Sequence, residues 1–99
     1  MNIKQLMKQA QQMQEQMQRQ MQTIRVEGTA GGGMVKVKVN GQQEVLDLKI
    51  EPDVINPDDK GMLEDLVLAA VNEAVKKSKK LQEQEMAKAT GMMMPPGMF

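Results

Sequence analysis

The stretch "EGTAGGGMVKVKVNG", Glu27 to Gly41, decides the fold because it places a glycine cluster next to alternating Val and Lys residues. The alternation has the period of two that is typical of a β-strand with one buried face. The glycines at 31–33 precede this strand and can adopt the positive φ angles that a turn requires. Asn40-Gly41 follows the strand and predicts a two-residue type I′ turn, in which both residues have positive φ. The stretch therefore predicts a small antiparallel sheet.

The predicted sheet has three strands with apolar residues at alternate positions, namely Ile24–Ala30, Met34–Asn40 and Gln43–Glu51. A two-residue turn at Asn40-Gly41 would place Val39 opposite Gln42 and Val35 opposite Leu46. The two faces of the sheet then differ in polarity, as they do when one face is buried. The apolar face contains Val35, Val37, Leu46, Leu48 and Ile50, and the polar face contains Lys36, Lys38, Asp47 and Lys49.

Glycine-rich loops also bind phosphates, and Gly28 and Gly33 have the separation of the two P-loop glycines. That motif continues with Lys and then Ser or Thr, whereas Met34 and Val35 follow here. A strand also follows the loop, so no helix N-terminus faces a bound phosphate. We therefore interpret the glycines as turn residues and not as a nucleotide site.

A helix is predicted on each side of the sheet, because apolar residues recur there at steps of three or four. The first helix extends from Asn2 to about Thr23. The last begins near a capping residue at Asn56, Asp58 or Asp59 and continues to about Ala89. The fold class is thus α+β with the order α-β-β-β-α. The two predicted stripes are Ile3, Leu6, Ala10, Met13, Met17, Met21 and Ile24, and Leu63, Val67, Ala70, Val71, Ala74, Ser78 and Leu81.

The length of 99 residues fits one small domain with a thin core, which favours a homodimer. We predict a domain over residues 1–90 and a tail over 91–99, a Met, Pro and Gly-rich flexible end or short docking peptide. The chain has no Cys, no apolar segment typical of a signal peptide and no stretch long enough to span a membrane. These features predict a soluble cytoplasmic protein.

Few residues in the chain could carry out catalysis. The sequence lacks His, Cys, Tyr and Trp, so Ser78 has no His to activate it. Asp53, Asp58 and Asp59 lack the spacing of a calcium-binding loop, and helix capping explains the last two. We therefore predict that the protein is not an enzyme and has no catalytic residues, no cofactor and no metal site.

The charges are balanced overall but unevenly distributed, because both terminal segments are basic and residues 51–75 are acidic. The run "KKSKK" at 76–80 has two interpretations. A short Lys cluster on a helix is usually a solvated face, and Glu73 can pair with Lys77. The same cluster also attracts the phosphate backbone of nucleic acids, and Lys36 and Lys38 could extend it, although Asp47 could neutralise one of them.

Four segments together carry a resemblance to a known family: "LMKQAQQMQEQMQ", "VEGTAGGGMVKVKVNG", "MLEDLVLAAVNEAVKK" and "PPGMF". Because these segments occur in the order typical of the family, the chain resembles the YbaB/EbfC family of bacterial nucleoid-associated DNA-binding proteins. The resemblance implies a tweezer-like homodimer whose projecting helices hold double-stranded DNA in the nucleoid, where it organises the DNA and influences gene expression without catalysis. It implies DNA contacts from Lys4, Lys8, Arg19, Lys76, Lys77, Lys79 and Lys80.

An alternative of another class is a dimeric adaptor whose Met-rich helices bind partner proteins. The two functions differ in salt dependence, because only DNA binding releases condensed counterions. RNA is a third possible ligand, but a chain with one aromatic residue offers few platforms for stacking single-stranded bases.

Overall fold

The computed structural model describes residues 2–91, with side chains up to residue 88. The strands form one antiparallel sheet in the order β1-β2-β3. This architecture confirms the predicted α-β-β-β-α fold, whereas the predicted tail beyond Gly91 lies outside the described residues. The elements are α1 (Ile3–Thr23), β1 (Val26–Ala30), β2 (Val35–Val39), β3 (Val45–Ile50), two short 3-10 helices (Pro52–Val54 and Pro57–Asp59) and α2 (Lys60–Gly91).

The core lies between α2 and one face of the sheet, where α2 packs mainly on β1 and β2. The three valines of β2 are fully buried there, while its two lysines point to the other face and are exposed. Small residues allow close packing: Ala70 and Ala74 of α2 are fully buried, and Gly28 of β1 lies directly beneath them. A Cβ atom at Gly28 would lie 2.4 Å from the carbonyl oxygen of Ala70 and 2.4 Å from the nitrogen of Ala74. The helix and strand backbones are therefore in direct contact.

The glycines between β1 and β2 act as the sequence predicts. Gly31, Gly32 and Gly33 all have positive φ, at 63°, 68° and 91°. Residues with a Cβ atom rarely adopt this conformation. Three consecutive glycines therefore let β2 reverse direction and pair with β1.

The prediction of a two-residue turn at Asn40-Gly41 is wrong. The positive φ in this hairpin is at Gln43 (63°) and not at Gly41. The Asn40 side chain builds a longer loop, because its Oδ1 accepts hydrogen bonds from the backbone N–H groups of Gln42 (2.9 Å) and Glu44 (3.1 Å). The backbone N–H of Asn40 also donates to the carbonyl of Glu44 (3.1 Å). The loop therefore spans residues 40–44.

This longer loop changes the pairing of β2 with β3, and a β-bulge occurs between Lys38 and Val39. The predicted pairs of Val39 with Gln42 and Val35 with Leu46 are therefore wrong. Before the bulge, the observed pairing differs from the predicted one by four positions along β3. Side chains alternate between the two faces of a strand, so an even shift keeps the apolar residues on one face and the lysines on the other. The observed pairs are Val35 with Ile50, Lys36 with Lys49, Val37 with Leu48, Lys38 with Asp47 and Val39 with Val45.

Helix α1 projects from this body, and the described chain measures 66 × 29 × 16 Å. Its C-terminal end is fixed because Met21 is buried and its carbonyl accepts a hydrogen bond from the N–H of Gly41 (2.8 Å). The predicted apolar stripe of α1 is largely uncovered, since Met17 is half-buried and the residues before it are exposed. One chain alone therefore leaves an apolar surface along the projecting part of α1.

Side chains cap the starts of both helices, and those before α2 are among the capping residues that the sequence predicted. The Asn2 side chain accepts a hydrogen bond from the N–H of Gln5 (2.8 Å) at the start of α1. Asp59 accepts one from the N–H of Met62 (3.3 Å) at the start of α2, and Asn56 caps the preceding 3-10 helix. The acidic residues before α2 thus lie at the positive end of its dipole.

Candidate nucleic-acid interface

Three lysines of α2 form an exposed basic surface, which we call the α2 lysine surface: Lys76, Lys79 and Lys80. Ser78 lies between them in sequence and is fully buried on the side of α2 that faces the sheet. Helical spacing therefore directs the three lysines away from the sheet. They line an open groove of about 490 Å³, in which Glu83 is the only acidic residue. Within the described side chains none of the three forms an ion pair, so their charges are available to an anionic ligand.

Lys77 has a different environment from its neighbours. Its Nζ lies 2.9 Å from a carboxylate oxygen of Glu73 and donates a hydrogen bond to the carbonyl of Glu27 in β1 (3.1 Å). The second carboxylate oxygen of Glu73 accepts from the backbone N–H of Thr29 (3.4 Å). The hydrogen bonds from Lys77 and then from Thr29 lower the pKa of Glu73 below its ordinary value of 4.5. Lys77 thus joins α2 to the edge of β1, with its charge compensated.

The basic residues of α1 lie on the projecting helix. Lys4 and Lys8 are exposed and form no ion pair within the described side chains. Arg19 is exposed but lies 3.6 Å from a carboxylate oxygen of Glu15. No hydrogen bond or ion pair joins these residues to the α2 lysine surface in the part of the chain that the structure describes. The structure therefore places the predicted DNA contacts on two separate helices.

The open face of the sheet carries the polar residues that the sequence placed there, but they pair differently from the prediction. Lys36 lies directly opposite Lys49, whereas Lys38 lies between Glu27 of β1 and Asp47 of β3. The wrong loop length hid this arrangement, because it shifts β3 by four positions relative to β2. The one sequence signal for the longer loop is the run of polar residues after Gly41, namely Gln42, Gln43 and Glu44.

A second kind of exposed surface is apolar. The β3 residues Val45, Leu46 and Leu48 remain 53%, 46% and 46% exposed, because α2 does not extend over them. An adjoining groove of about 460 Å³ lies between the end of β3 and α2. Contiguous exposed apolar surface is typical of sites of protein association. The groove is lined by Ile50, Leu63, Glu64, Val67, Leu68 and Val71.

Comparisons with known proteins show which family the chain is similar to. The YbaB/EbfC DNA-binding family matches residues 1–93. A nucleoid-associated protein of Pelotomaculum thermopropionicum is 46% identical over 101 residues, which cover 99% of this chain and 96% of that protein. The nucleoid-associated protein YaaK of Bacillus subtilis is 55% identical over 74 residues, covering 75% of this chain and 69% of that protein.

A solved structure supports the fold independently. The uncharacterized protein HP0035 from Helicobacter pylori has a TM-score of 0.67 and 23% sequence identity, covering 82% of this chain and 94% of that chain.

The family match and these relatives place the chain in a class of nucleoid-associated DNA-binding proteins. The chain belongs to the YbaB/EbfC DNA-binding family. This is a family of DNA-binding proteins and not an enzyme family. Among residues 2–91, no helix has the length and apolar character needed to cross a bilayer.

Proposed function

We propose that this protein binds double-stranded DNA as a homodimer in the cytoplasm, mainly through the phosphate backbone, and thereby organises the nucleoid and influences gene expression. The observation that carries the proposal is the α2 lysine surface. Its three ammonium groups lie on one exposed side of one helix with no ion-pair partner among the described side chains. Family membership and the names of the relatives support DNA as the ligand.

Contacts to the backbone follow from the chemistry of this surface. An ammonium group is a point charge on a flexible chain, which suits phosphate but does not read a base edge in a fixed bidentate geometry. Lys4 and Lys8 extend the contacts along α1. Arg19 and Lys77 contribute less, because each already lies beside a carboxylate in the free protein.

The homodimer is supported by the apolar surface of β3 and the adjoining groove. A single chain buries only seven apolar residues fully or nearly so among those described, and leaves Leu48 and Leu68 46% and 60% exposed. A second copy placed on this surface would remove both leucines from water and leave α1 and the α2 lysine surface projecting. Two projecting pairs of helices would form the two arms of a tweezer.

Sedimentation tests the dimer directly. We expect a dimer at micromolar concentration and a shift towards monomer for Leu48→Lys. Met13→Lys is the matched control, because Met13 is similarly exposed (55%) but lies on α1, away from the proposed interface. A parent protein that sediments as a monomer, or two variants that sediment alike, would contradict this interface.

Mobility shifts on several duplexes of unrelated sequence, at a series of salt concentrations, test the DNA function. Each phosphate contact contributes about 0.9 to the log-log salt slope for duplex DNA. We expect similar affinities for all duplexes, because contacts to the backbone carry no sequence information. Binding to one sequence only, or binding that is insensitive to salt, would contradict the proposal.

The adaptor function remains the second candidate because of one specific observation. The N-terminal part of the α1 stripe is uncovered within the described chain, with Ile3, Leu6 and Met13 exposed by 75%, 51% and 55%. An adaptor that uses this stripe would bind a protein through apolar contacts, which salt does not weaken. Retained protein binding combined with no mobility shift on DNA would favour the adaptor.

A further inference from the structure

The open face of the sheet places two lysines side by side. Lys36 in β2 and Lys49 in β3 are directly paired across the strands, and both are exposed. Cβ atoms in such a pair are about 5 Å apart, and like charges directly opposite each other destabilise a sheet. The strand register therefore places two lysine side chains next to each other, an arrangement that costs the sheet stability.

The acidic residues of this face are grouped around a different lysine. Lys38 has Glu27 as its neighbour in β1 and Asp47 as its neighbour in β3. The corresponding neighbours of Lys36 are Thr29 and Lys49. Glu51 lies just beyond the end of β3 and, among the described side chains, forms no ion pair with either lysine of the pair. Positive charge on this face is thus concentrated at Lys36 and Lys49, which we call the sheet lysine pair.

The sheet lysine pair and the α2 lysine surface face opposite directions. Helix α2 covers the valine face of the sheet, so the lysines of β2 and β3 lie on the far side. The α2 lysine surface lies on the side of α2 that faces away from the sheet, since Ser78 between its residues is fully buried. One straight duplex cannot contact both sides of this layered body.

We propose that the sheet lysine pair is a second phosphate-contacting surface that binds a separate duplex segment, so that the protein bridges two DNA segments. This inference rests on the proposed function, because it takes double-stranded DNA as the ligand. Two adjacent ammonium groups suit neighbouring phosphates, whose charges form a dense linear array along a duplex. Binding of phosphate also removes the repulsion between the two lysines.

A capture experiment tests the bridge. A biotinylated duplex is fixed to beads and saturated with the full-length protein, and a second, fluorescent duplex is added. The amount of fluorescent duplex retained measures bridging, while a mobility shift on one short duplex measures binding through the α2 lysine surface. Parallel mobility shifts make failure of DNA binding distinguishable from failure of bridging.

The double variant Lys36→Gln/Lys49→Gln is expected to lose bridging and keep the mobility shift. Each phosphate contact makes DNA affinity fall about 3.5-fold when the salt concentration rises from about 50 to about 200 mM. The two contacts of the sheet lysine pair should therefore contribute about 12-fold to the loss of capture over this range in the parent, and this contribution should be absent in the variant. The matched control is Lys38→Gln, on the same face and strand but flanked by two acidic residues. We expect this control to capture as much DNA as the parent.

A gain-of-function variant gives a second arm. Glu27→Gln/Asp47→Asn removes the two acidic side chains beside Lys38 and should increase capture of the fluorescent duplex. Circular dichroism melts show whether each variant is folded. Unchanged capture by the double lysine variant, or a parent that shifts DNA but captures none, would overturn the inference and leave the proposed function intact. A parent that shifts no DNA would overturn both.

Discussion

Replacement of Gly28 by Ala tests the close contact between α2 and the sheet. The added Cβ atom would lie 2.4 Å from the Ala70 carbonyl oxygen and 2.4 Å from the Ala74 nitrogen. Non-bonded heavy atoms need about 3.5 Å, so α2 must move away from β1 by about 1 Å. The neighbouring atoms are backbone atoms and cannot be relieved by a change of rotamer. A gap of this size forfeits a quarter to a half of each dispersion contact that it opens.

We expect this substitution to cost about 3 kcal/mol, at the upper end of the usual cost of overpacking. For a domain of this size that corresponds to a fall in Tm of about 12–24 °C. The measurement is a circular dichroism melt at fixed protein concentration, because dimerisation makes Tm depend on concentration. Gly61→Ala is the control, since its Cβ atom would meet no atom within 4 Å. It should stabilise the protein by about 0.4–1 kcal/mol. Equal melting temperatures for Gly28→Ala and the parent would refute the close packing of α2 on β1.

Three further substitutions test other parts of the structure, each by a thermal melt against the parent. Lys49→Glu turns the repulsion with Lys36 into attraction and should stabilise the protein by about 0.2–1 kcal/mol; a loss of stability would contradict the register of β3. Ser78→Ala removes the buried hydroxyl that donates to the Asn40 carbonyl (2.6 Å) and should cost about 1–3 kcal/mol; no loss would contradict that bond. Glu73→Gln should lower Tm at neutral pH, because the lowered pKa of Glu73 means that folding favours its carboxylate. The difference in Tm between parent and variant should shrink as the pH falls below 4.5, because the Glu73 carboxyl of the unfolded chain then binds a proton. It should be lost at the lower pH at which the carboxyl of the folded protein also binds a proton. A difference in Tm that does not depend on pH would contradict the ion pair with Lys77.

The sequence predicted the elements of the fold because the relevant patterns are local. Alternation in β2, three glycines before it and helical spacing on both sides each depend on neighbouring residues only. The apolar and basic faces of the sheet were also predicted correctly, because the error in pairing before the bulge was an even number of residues.

The errors came from contacts between distant parts of the chain. Asn40-Gly41 has the composition of a two-residue turn, but the buried Asn40 side chain and its carbonyl bond to Ser78 favour the longer loop. Gly41 is required for another reason than φ, since a Cβ atom there would lie 2.8 Å from the carbonyl oxygen of Met21. Gly28 likewise permits helix packing and takes no part in a turn. Sequence spacing does not contain these distances.

The candidate DNA-binding residues show the same division between local and distant information. Helical spacing predicted that Lys76, Lys79 and Lys80 face away from the core, and they are exposed in the structure. The pairing of Lys77 with Glu73 was also foreseen, but the additional bond to a carbonyl of β1 depends on the tertiary packing of α2. Whether any of these lysines contacts DNA stays a prediction.

The salt dependence of DNA binding by Lys76→Gln/Lys79→Gln/Lys80→Gln tests the central claim most directly. Gln keeps the helix propensity of this exposed face, so folding should be unchanged. Lys60→Gln is a control on the same helix, because Lys60 is exposed but lies 3.8 Å from Glu64. The account predicts that the triple variant binds every duplex more weakly. The slope of log affinity against log salt concentration should be smaller by up to about 0.9 for each substituted lysine. A dimer carries three substituted lysines in each of its two chains. A folded triple variant with the affinity and salt slope of the parent would contradict the assignment of the α2 lysine surface to DNA.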